Sequence, residues 1–219
     1  MSLALYGHPF SSYTQKVLIA LYENRTPFEF RNIGPDTPEH TSAWLRLWPL
    51  ARFPLLMDGE RSFVEATIII EYLQLAHPGP TRLMPENPMT ALDIRFLDRF
   101  FDLYIMDPVQ FAVNCALNRL PVNPEEGRRL AGERLERAYA WMERTLPGRD
   151  WAAGSDFSLA DCAAAPSLFY SDWTHPISPS YPLLREYRAR LLARPSFARA
   201  VDEARQFRSF FPLGAPDRD

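Results

Sequence analysis

Apolar residues in the first third of the chain repeat with two different periods. Residues 3–6 form a short apolar run that ends at Gly7, and residues 28–33 are aromatic and β-like. Between them, apolar positions up to about Asn24 recur at the three- and four-residue spacing of a helix. The pattern predicts a strand, a helix and a second strand in that order.

A short helix and a hairpin follow. Residues 39–47 have helical spacing after a proline-rich stretch. Two short apolar runs then flank Asp58-Gly59, a residue pair typical of tight hairpin turns, and the segment VEATIIIEYLQLA returns to helical spacing. We therefore predict the order βαβ, helix, ββα for a first domain of residues 1–78.

The second part of the chain has a different pattern. Prolines recur between Ala76 and Met89, and such a segment cannot continue the preceding helix, so residues 79–88 are the predicted linker. Beyond it, strand patterns stop. Helical spacing dominates in four segments, at residues 90–118, 125–146, 159–173 and 181–204. We predict an all-helical second domain over residues 89–219.

Two local signals shape these helices. Asp107-Pro108 interrupts the first of them, and the missing N–H of proline predicts a kink there. In FSLADCAAAPSL, Ser158 is placed to cap a helix, and Asp161 is placed to reach back in a capping box. We interpret this capping motif as structural and not as part of a functional site.

Composition narrows the functional classes. The chain has 219 residues, 47% hydrophobic content and a formal charge of -3, with no block of Lys or Arg. This argues against nucleic acid or an anionic membrane as partner. No apolar run reaches the roughly 20 residues that cross a bilayer, and the N-terminus lacks a signal-type pattern. We expect a cytoplasmic protein that acts on small molecules.

The two cysteines do not suggest redox chemistry. Cys115 and Cys162 form no CxxC pair, and both lie in stretches predicted to be buried helix. We expect inert thiols in a reducing compartment. We also expect no metal cofactor.

Candidate chemistry lies where the first strand meets the first helix, at Ser11 and Ser12. A helix N-terminus has unpaired N–H groups and positive potential, so it can hold an anion. Serine is also a preferred N-cap, which alone would explain both residues.

A thioredoxin-type fold carries its reactive group here, as Cys-x-x-Cys in redox members. Phe10-Ser11-Ser12-Tyr13 has no thiol, so a reacting sulfur must come from another molecule.

Several motifs, taken in order, resemble the glutathione transferase superfamily across almost the whole chain. They are SSYTQKVLIALYE, ARFPLLMDG, VEATIIIEYL, the proline-rich linker and FSLADCAAAPSLFY. The likeness is to bacterial members of the serine type, similar to the zeta and theta classes. It implies an α/β thioredoxin-like N-terminal domain and an all-α helical bundle. It also implies glutathione as substrate or cofactor, a homodimer and a role in detoxification.

The resemblance assigns roles around the first helix and the third strand. Ser11 matches the catalytic position, Ser12 is its neighbour and the alternative donor, and Tyr13 stands where the zeta-type motif has cysteine. The motif around Phe53-Pro54 has a cis bond in the family, which lets the main chain of residue 53 pair with the cysteinyl unit of the peptide.

The resemblance also assigns the two ends of glutathione. Glu65 would accept from the γ-glutamyl ammonium, and the N–H groups of Ala66 and Thr67 would receive its α-carboxylate. Ala66 departs from the usual serine, which removes one hydrogen bond. Arg52 and His40 are the candidates for the glycyl carboxylate.

The second substrate is expected between the two halves. The candidates for its pocket are Phe10, Tyr13, Tyr104 and Phe111, with Trp173 and the C-terminal SFFPL as further possibilities.

Three functions stay open. The preferred one is transfer of glutathione to an electrophilic carbon. A second is glutathione-dependent cis-trans isomerisation of maleylacetoacetate type, against which Tyr13 counts. The third is a non-catalytic binding module, consistent with Ala66 and with Trp48 where the family usually has asparagine.

Overall fold

A four-stranded sheet forms the centre of the first domain in the computed structural model, which describes residues 3–219. The strands are β1 (Leu3–Gly7), β2 (Phe28–Asn32), β3 (Leu55–Asp58) and β4 (Arg61–Val64). Their order in the sheet is β2-β1-β3-β4; β1 is parallel to β2 and antiparallel to β3, and β3 and β4 form a hairpin. The predicted strands and hairpin are confirmed.

Three helices complete this domain: α1 (Ser12–Glu23), α2 (Pro38–Leu47) and α3 (Ala66–Ala76). The middle of α1 is buried at every position from 14 to 21, because α3 and two helices of the second domain pack against it. This arrangement is the predicted thioredoxin-like fold, and it places the N-termini of α1 and α3 at one edge of the domain.

The second domain is all helical, as predicted. Its helices are α4 (Pro88–Phe100), α5 (Asp107–Ala116), α6 (Pro124–Thr145), α7 (Leu159–Thr174), α8 (Pro182–Leu192) and α9 (Pro195–Ala204), followed by a 3₁₀ turn (Arg205–Phe210). Every residue of α7 is buried, which makes this helix the centre of the domain. No helix within residues 3–219 is long and apolar enough to cross a membrane.

A π-helical segment, Phe101–Met106, joins α4 to α5. The N–H of Asp107 donates to the carbonyl of Asp102, five residues earlier, directly ahead of Pro108. Proline has no N–H and its ring crowds the preceding turn, so a widened turn accommodates it. The interruption predicted at Asp107-Pro108 therefore takes the form of a π-helical turn.

The predicted capping box is confirmed and is part of a larger network. Asp161 is fully buried and accepts from the N–H and hydroxyl of Ser158, both at 2.9 Å. It also accepts from the N–H of Ala152 at 2.8 Å and the hydroxyl of Tyr187 at 2.6 Å. These bonds tie the start of α7 to α8, as expected for a structural motif.

Both cysteines are buried free thiols. Burial raises the pKa of the Cys162 thiol well above its ordinary value, so the thiolate is strongly disfavoured.

Candidate functional site

A cleft of about 960 Å³ runs between the two domains. Ten of the thirteen predicted site residues line it: Phe10, Ser11, Ser12, Tyr13, Arg52, Phe53, Pro54, Glu65, Ala66 and Thr67. They come from the N-terminus of α1, the approach to β3 and the N-terminus of α3. The topology of the first domain thus brings together groups that are far apart in the sequence.

Ser11 is the N-cap of α1. Its Oγ accepts a hydrogen bond from the N–H of Thr14 at 3.3 Å, with extended backbone angles typical of this position. Because this bond uses an oxygen lone pair, the hydroxyl proton is still available to an anion in the cleft. Ser12, the first residue of the helix, is 8% exposed. Capping and anion binding are therefore compatible at Ser11.

The loop before Ser11 is held from both domains. The Nδ1 atom of His8 accepts from the N–H of Phe10 at 3.2 Å, and the His8 carbonyl accepts from the N–H of Ser11 at 3.0 Å. Tyr170 on α7 donates its hydroxyl to the Phe10 carbonyl at 3.1 Å and accepts from Nε2 of Gln15 at 3.2 Å. Burial lowers the pKa of His8, which favours the neutral ring that this acceptor role needs.

The Phe53-Pro54 peptide bond is cis, as the resemblance implied. The indole N–H of Trp44 donates to the carbonyl of Arg52 at 3.0 Å and so fixes the preceding loop. The side chain of Arg52 is exposed and reaches the cleft.

His40 does not line the cleft. Its Nδ1 atom lies 3.2 Å from the carbonyl of Asn32, at the end of β2, and its ring meets Tyr6 edge-on. The sequence placed His40 on the correct helix but could not give the direction of its side chain. The structure thus separates His40 from Arg52, the other candidate ligand of the glycyl carboxylate.

Glu65 begins α3 in an unusual conformation. Its φ is 68° and its ψ is 116°, and its side chain makes no capping bond. A positive φ is uncommon outside glycine and often marks a functional position. The first N–H groups of a helix, here those of Ala66 and Thr67, have no partner within the helix. Together with the Glu65 carboxylate they form a compact site for a group that carries both a positive and a negative charge.

At the start of α3 lies an ionic cluster that we call the cleft floor: Lys16, Thr67, Asp98, Arg99 and Asp102. Lys16 and the two carboxylates are buried, whereas Arg99 is exposed. Lys16 is 1% exposed, and its Nζ lies 2.5 Å from Asp98, 2.9 Å from Asp102 and 3.0 Å from Oγ1 of Thr67. Thr67 in turn donates to Asp98 at 2.8 Å, and Arg99 contacts both carboxylates. Burial raises the pKa of Asp102, while Lys16 opposes that shift.

The cleft floor and Tyr170 were not foreseen. Lys16 lies in an ordinary helical pattern, where lysine usually marks the solvent face. Its carboxylate partners, Asp98 and Asp102, are more than eighty residues away in the sequence, so no local signal connects them. Tyr170 lies two residues beyond the capping motif FSLADCAAAPSL, and no role was predicted for it from the sequence.

Tyr104 and Phe111 do not line the cleft, so the structure does not bring them to the pocket for which the sequence predicted them. Tyr104 is 57% exposed and stacks on Phe100 at 5.4 Å. Leu103 and Gln110, one position earlier in each case, face the cleft instead. One residue is a rotation of about 100° around a helix, which is enough to exchange two faces.

The remaining wall comes from the second domain and the C-terminus. It includes Met106, Val113, Asn114, Leu117, Phe210, Phe211 and Pro212. The predicted SFFPL segment therefore contributes, whereas Trp173 packs behind the wall, against Phe10 and Phe211. Apolar side chains dominate, with a few amides between them.

Fold and cleft define a class: a thioredoxin-like domain joined to a helical domain, with serines in place of a cysteine pair at the first helix. Residues 5–81 match the family described as glutathione S-transferase, N-terminal domain, and residues 125–190 match its C-terminal domain. The chain belongs to the glutathione S-transferase superfamily.

Individual relatives agree with this assignment. A probable maleylacetoacetate isomerase of Vibrio cholerae is 30% identical over 213 residues, which cover 93% of this chain and 97% of the relative. A stringent starvation protein A homolog of Haemophilus ducreyi is 24% identical, over 91% of this chain and 89% of that protein. A glutathione S-transferase from Methylobacterium radiotolerans, solved with glutathione sulfonate, is 30% identical with a TM-score of 0.76, over 92% and 95% of the two chains.

Proposed function

We propose that the protein is a glutathione transferase that holds the sulfur of glutathione as a thiolate for attack on a small hydrophobic electrophile. The observation that carries the proposal is the Ser11 hydroxyl, which lines the cleft at a helix N-terminus with its proton uncommitted. A free thiol has a pKa near 8.5, and lowering it by one unit requires about 1.4 kcal/mol of preferential stabilisation. A hydroxyl donor and the helix dipole supply this order of energy.

The rest of the peptide fits the neighbouring groups. The γ-glutamyl end would meet the carboxylate of Glu65 and the N–H groups at the start of α3. The cysteinyl main chain would pair with residue 53, and the glycyl carboxylate would meet Arg52. The Methylobacterium radiotolerans relative, which was solved with glutathione sulfonate, supports glutathione as the ligand.

The test compares wild type with Ser11→Ala and Ser12→Ala. Glutathione binding is measured by calorimetry, and its ionisation by the ultraviolet absorbance of the bound thiolate. We expect Ser11→Ala to lose the thiolate signal and to lower kcat/KM about 10- to 100-fold, because a hydrogen bond to a charged group contributes about 1.5 to 3 kcal/mol. Ser12→Ala is the matched control and should keep the signal. Loss of the signal in Ser12→Ala alone would transfer the role to Ser12.

Glutathione consumption, measured beside the thiolate signal, separates the two alternatives. An isomerase is favoured by the Vibrio cholerae relative, which the chain matches over nearly its whole length. It would convert a cis-enone to the trans form with no net consumption of glutathione. A non-catalytic binder would bind glutathione without the thiolate signal.

We further propose a cytoplasmic homodimer that acts in detoxification. The free, buried cysteines support a reducing compartment.

Large apolar side chains are exposed on α3 and α4, among them Ile68 at 53%, Leu75 at 83% and Leu92 at 55%. A second copy of the chain that covered them would remove this surface from water. Sedimentation equilibrium should then give twice the 25.2 kDa of one chain; a mass near that of one chain would exclude the dimer.

A further inference from the structure

The hydroxyl of Tyr170 bridges the two domains. Tyr170 lies on α7, is 3% exposed, and packs its ring against Phe10 and Phe211. Its hydroxyl donates to the carbonyl of Phe10 at 3.1 Å and accepts from Nε2 of Gln15 at 3.2 Å. A side chain of the second domain therefore holds the residue that directly precedes Ser11.

Gln15 holds the neighbouring residue of the same loop. It is 0% exposed, and its Nε2 also donates to the carbonyl of Pro9 at 3.0 Å, so both amide protons are used. Its Oε1, in contrast, is buried and has no partner among residues 3–219. A buried acceptor without a partner is unfavourable, and such exceptions call for an explanation. The amide is oriented to hold the loop, and its own oxygen stays unsatisfied.

Docking of the two domains does not depend on this contact. At the other end of α1, Glu23 pairs with Arg194, the N-cap of α9, through two bonds of 2.7 and 2.6 Å. The cleft floor also joins α1 to α4, through Lys16 and Asp98. Loss of the Tyr170 hydroxyl alone should therefore leave the domains together and affect chiefly the loop before Ser11.

The direction of the Ser11 hydroxyl depends on that loop. Its Oγ accepts from the N–H of Thr14 at 3.3 Å, a long bond, so the backbone chiefly determines where the hydroxyl points. The Ser11 N–H donates to the carbonyl of His8, which closes a turn over residues 8–11. Tyr170 and Gln15 bind the two carbonyls in the middle of this turn. Because hydrogen bonds weaken with misalignment, a small rotation of the turn would weaken donation by Ser11.

We propose that Tyr170 is a positioning residue for Ser11: it holds the loop so that the Ser11 hydroxyl faces the glutathione sulfur, and ionisation of that thiol therefore depends on the docked second domain. The inference rests on the proposed function, since it needs glutathione in the cleft. The thiol gives its proton to solvent, the electron pair stays on sulfur, and the Ser11 hydroxyl donates to the resulting anion. Tyr170 takes no proton in this step, because burial raises the pKa of its phenol.

The experiment uses Tyr170→Phe, which removes the hydroxyl and keeps the packed ring. The pKa of the bound glutathione thiol, from its ultraviolet absorbance against pH, should rise by about 0.3 to 1, the equivalent of weakening one hydrogen bond. Below that pKa, kcat should fall about 2- to 10-fold, and the loss should shrink as the pH rises, because the thiolate then forms without help. The glutathione dissociation constant at acidic pH, where the thiol is bound protonated, should change less than about twofold.

The matched control is Tyr139→Phe. Tyr139 is 0% exposed, and its hydroxyl also donates to a main-chain carbonyl, that of His175, at 3.1 Å. It does not line the cleft. The control should lose a similar amount of stability and leave the pKa of the bound thiol unchanged, which separates a general loss of packing from an effect on the loop.

A double variant tests whether Tyr170 acts through Ser11. In the Ser11→Ala background, Tyr170→Phe should have no further effect on the pKa of the bound thiol. A full effect in that background, an unchanged pKa in Tyr170→Phe, or a loss of kcat that is equal at every pH would overturn the role of Tyr170 and leave the proposed function intact.

A second variant keeps the inference testable if Tyr170→Phe does not fold. Gln15→Met removes the other donor to the loop and should also raise the pKa of the bound thiol; an unchanged pKa there would overturn the inference. Absence of glutathione binding and of the thiolate signal in wild type would instead overturn the proposed function itself, and this inference with it.

Discussion

The cleft floor and the second-domain wall differ in how their polar groups are satisfied. In the floor, Lys16 contacts Thr67, Asp98 and Asp102, so its charge is compensated inside the protein. On the wall, the side chains of Gln110 and Asn114 line the cleft and have no hydrogen-bond partner in the described part of the chain.

This difference in hydrogen bonding indicates different roles for the cleft floor and the second-domain wall. A floor whose members bind one another holds α1, α3 and α4 in one geometry, as a constant ligand such as a tripeptide requires. The unpartnered amides of the wall contribute no internal hydrogen bond to the fold and are left to interact with whatever enters. We expect changes in the floor to alter stability, and changes in the wall to alter the choice of electrophile.

The largest effect is expected from Lys16→Met, which keeps the volume but removes the charge. Two buried carboxylates would lose their buried counter-ion and keep only the exposed Arg99, and breaking a buried pair in this way costs about 3 to 5 kcal/mol. Chemical unfolding should show a decrease of that order in the free energy of unfolding, with weaker glutathione binding.

The control for Lys16→Met is Arg129→Met. Arg129 pairs with Glu126 on the exposed face of α6, and surface pairs contribute about 0 to 1 kcal/mol. If both variants lost the same small amount, the cleft floor would not be the stabilising feature that we describe.

A smaller effect is expected from Gln110→Leu on the wall. The free energy of unfolding should change by less than about 0.5 kcal/mol, because no internal hydrogen bond is lost. Preference for a polar electrophile over an apolar analogue should fall about 2- to 10-fold, the equivalent of one neutral hydrogen bond of about 0.5 to 1.5 kcal/mol. Steady-state kinetics with the matched pair of electrophiles checks this. A large loss of stability in Gln110→Leu would show that the wall, too, supports the fold.

The smallest effect is expected from His8, whose Nδ1 atom accepts from Phe10. Its pKa is lowered in the folded protein from an ordinary 6.5, so the unfolded chain binds the proton more tightly. This contribution to stability is present above pH 6.5 and is lost as the pH falls through the folded pKa. His8→Gln should flatten the decline in stability below pH 6.5, measured by urea unfolding at several pH values. An unchanged pH profile would contradict this.

Backbone features of the first domain could be predicted because each has a local cause. Gly59, in the hairpin, has a φ of 58°, which glycine adopts easily. Ser11 caps α1, and Asp161 completes the capping box at the start of α7. Both could be predicted because each side chain hydrogen-bonds a backbone N–H only three residues away. The family resemblance also rests on the order of such signals along the chain, and it implied the cis bond at Pro54.

Side-chain directions and long-range pairs could not be predicted. Tyr104 and Phe111 were one residue out of phase with the cleft, a difference that apolar spacing does not resolve when a helix is covered on several sides. The π-helical turn at Phe101–Met106 adds to this uncertainty, because it interrupts the regular period. Lys16 could be recognised only with its distant carboxylates in view.

The hydrogen bond from Tyr170 to the carbonyl of Phe10 has a consequence for how the chain can be divided. Cutting at the linker would yield two fragments of ordinary domain length. The loop that carries Ser11 would then lose the hydrogen bond from Tyr170, which lies in the other fragment. Gln15, buried in the whole protein, would then face water. The linker therefore separates the two domains along the chain, but the candidate site needs both domains docked together.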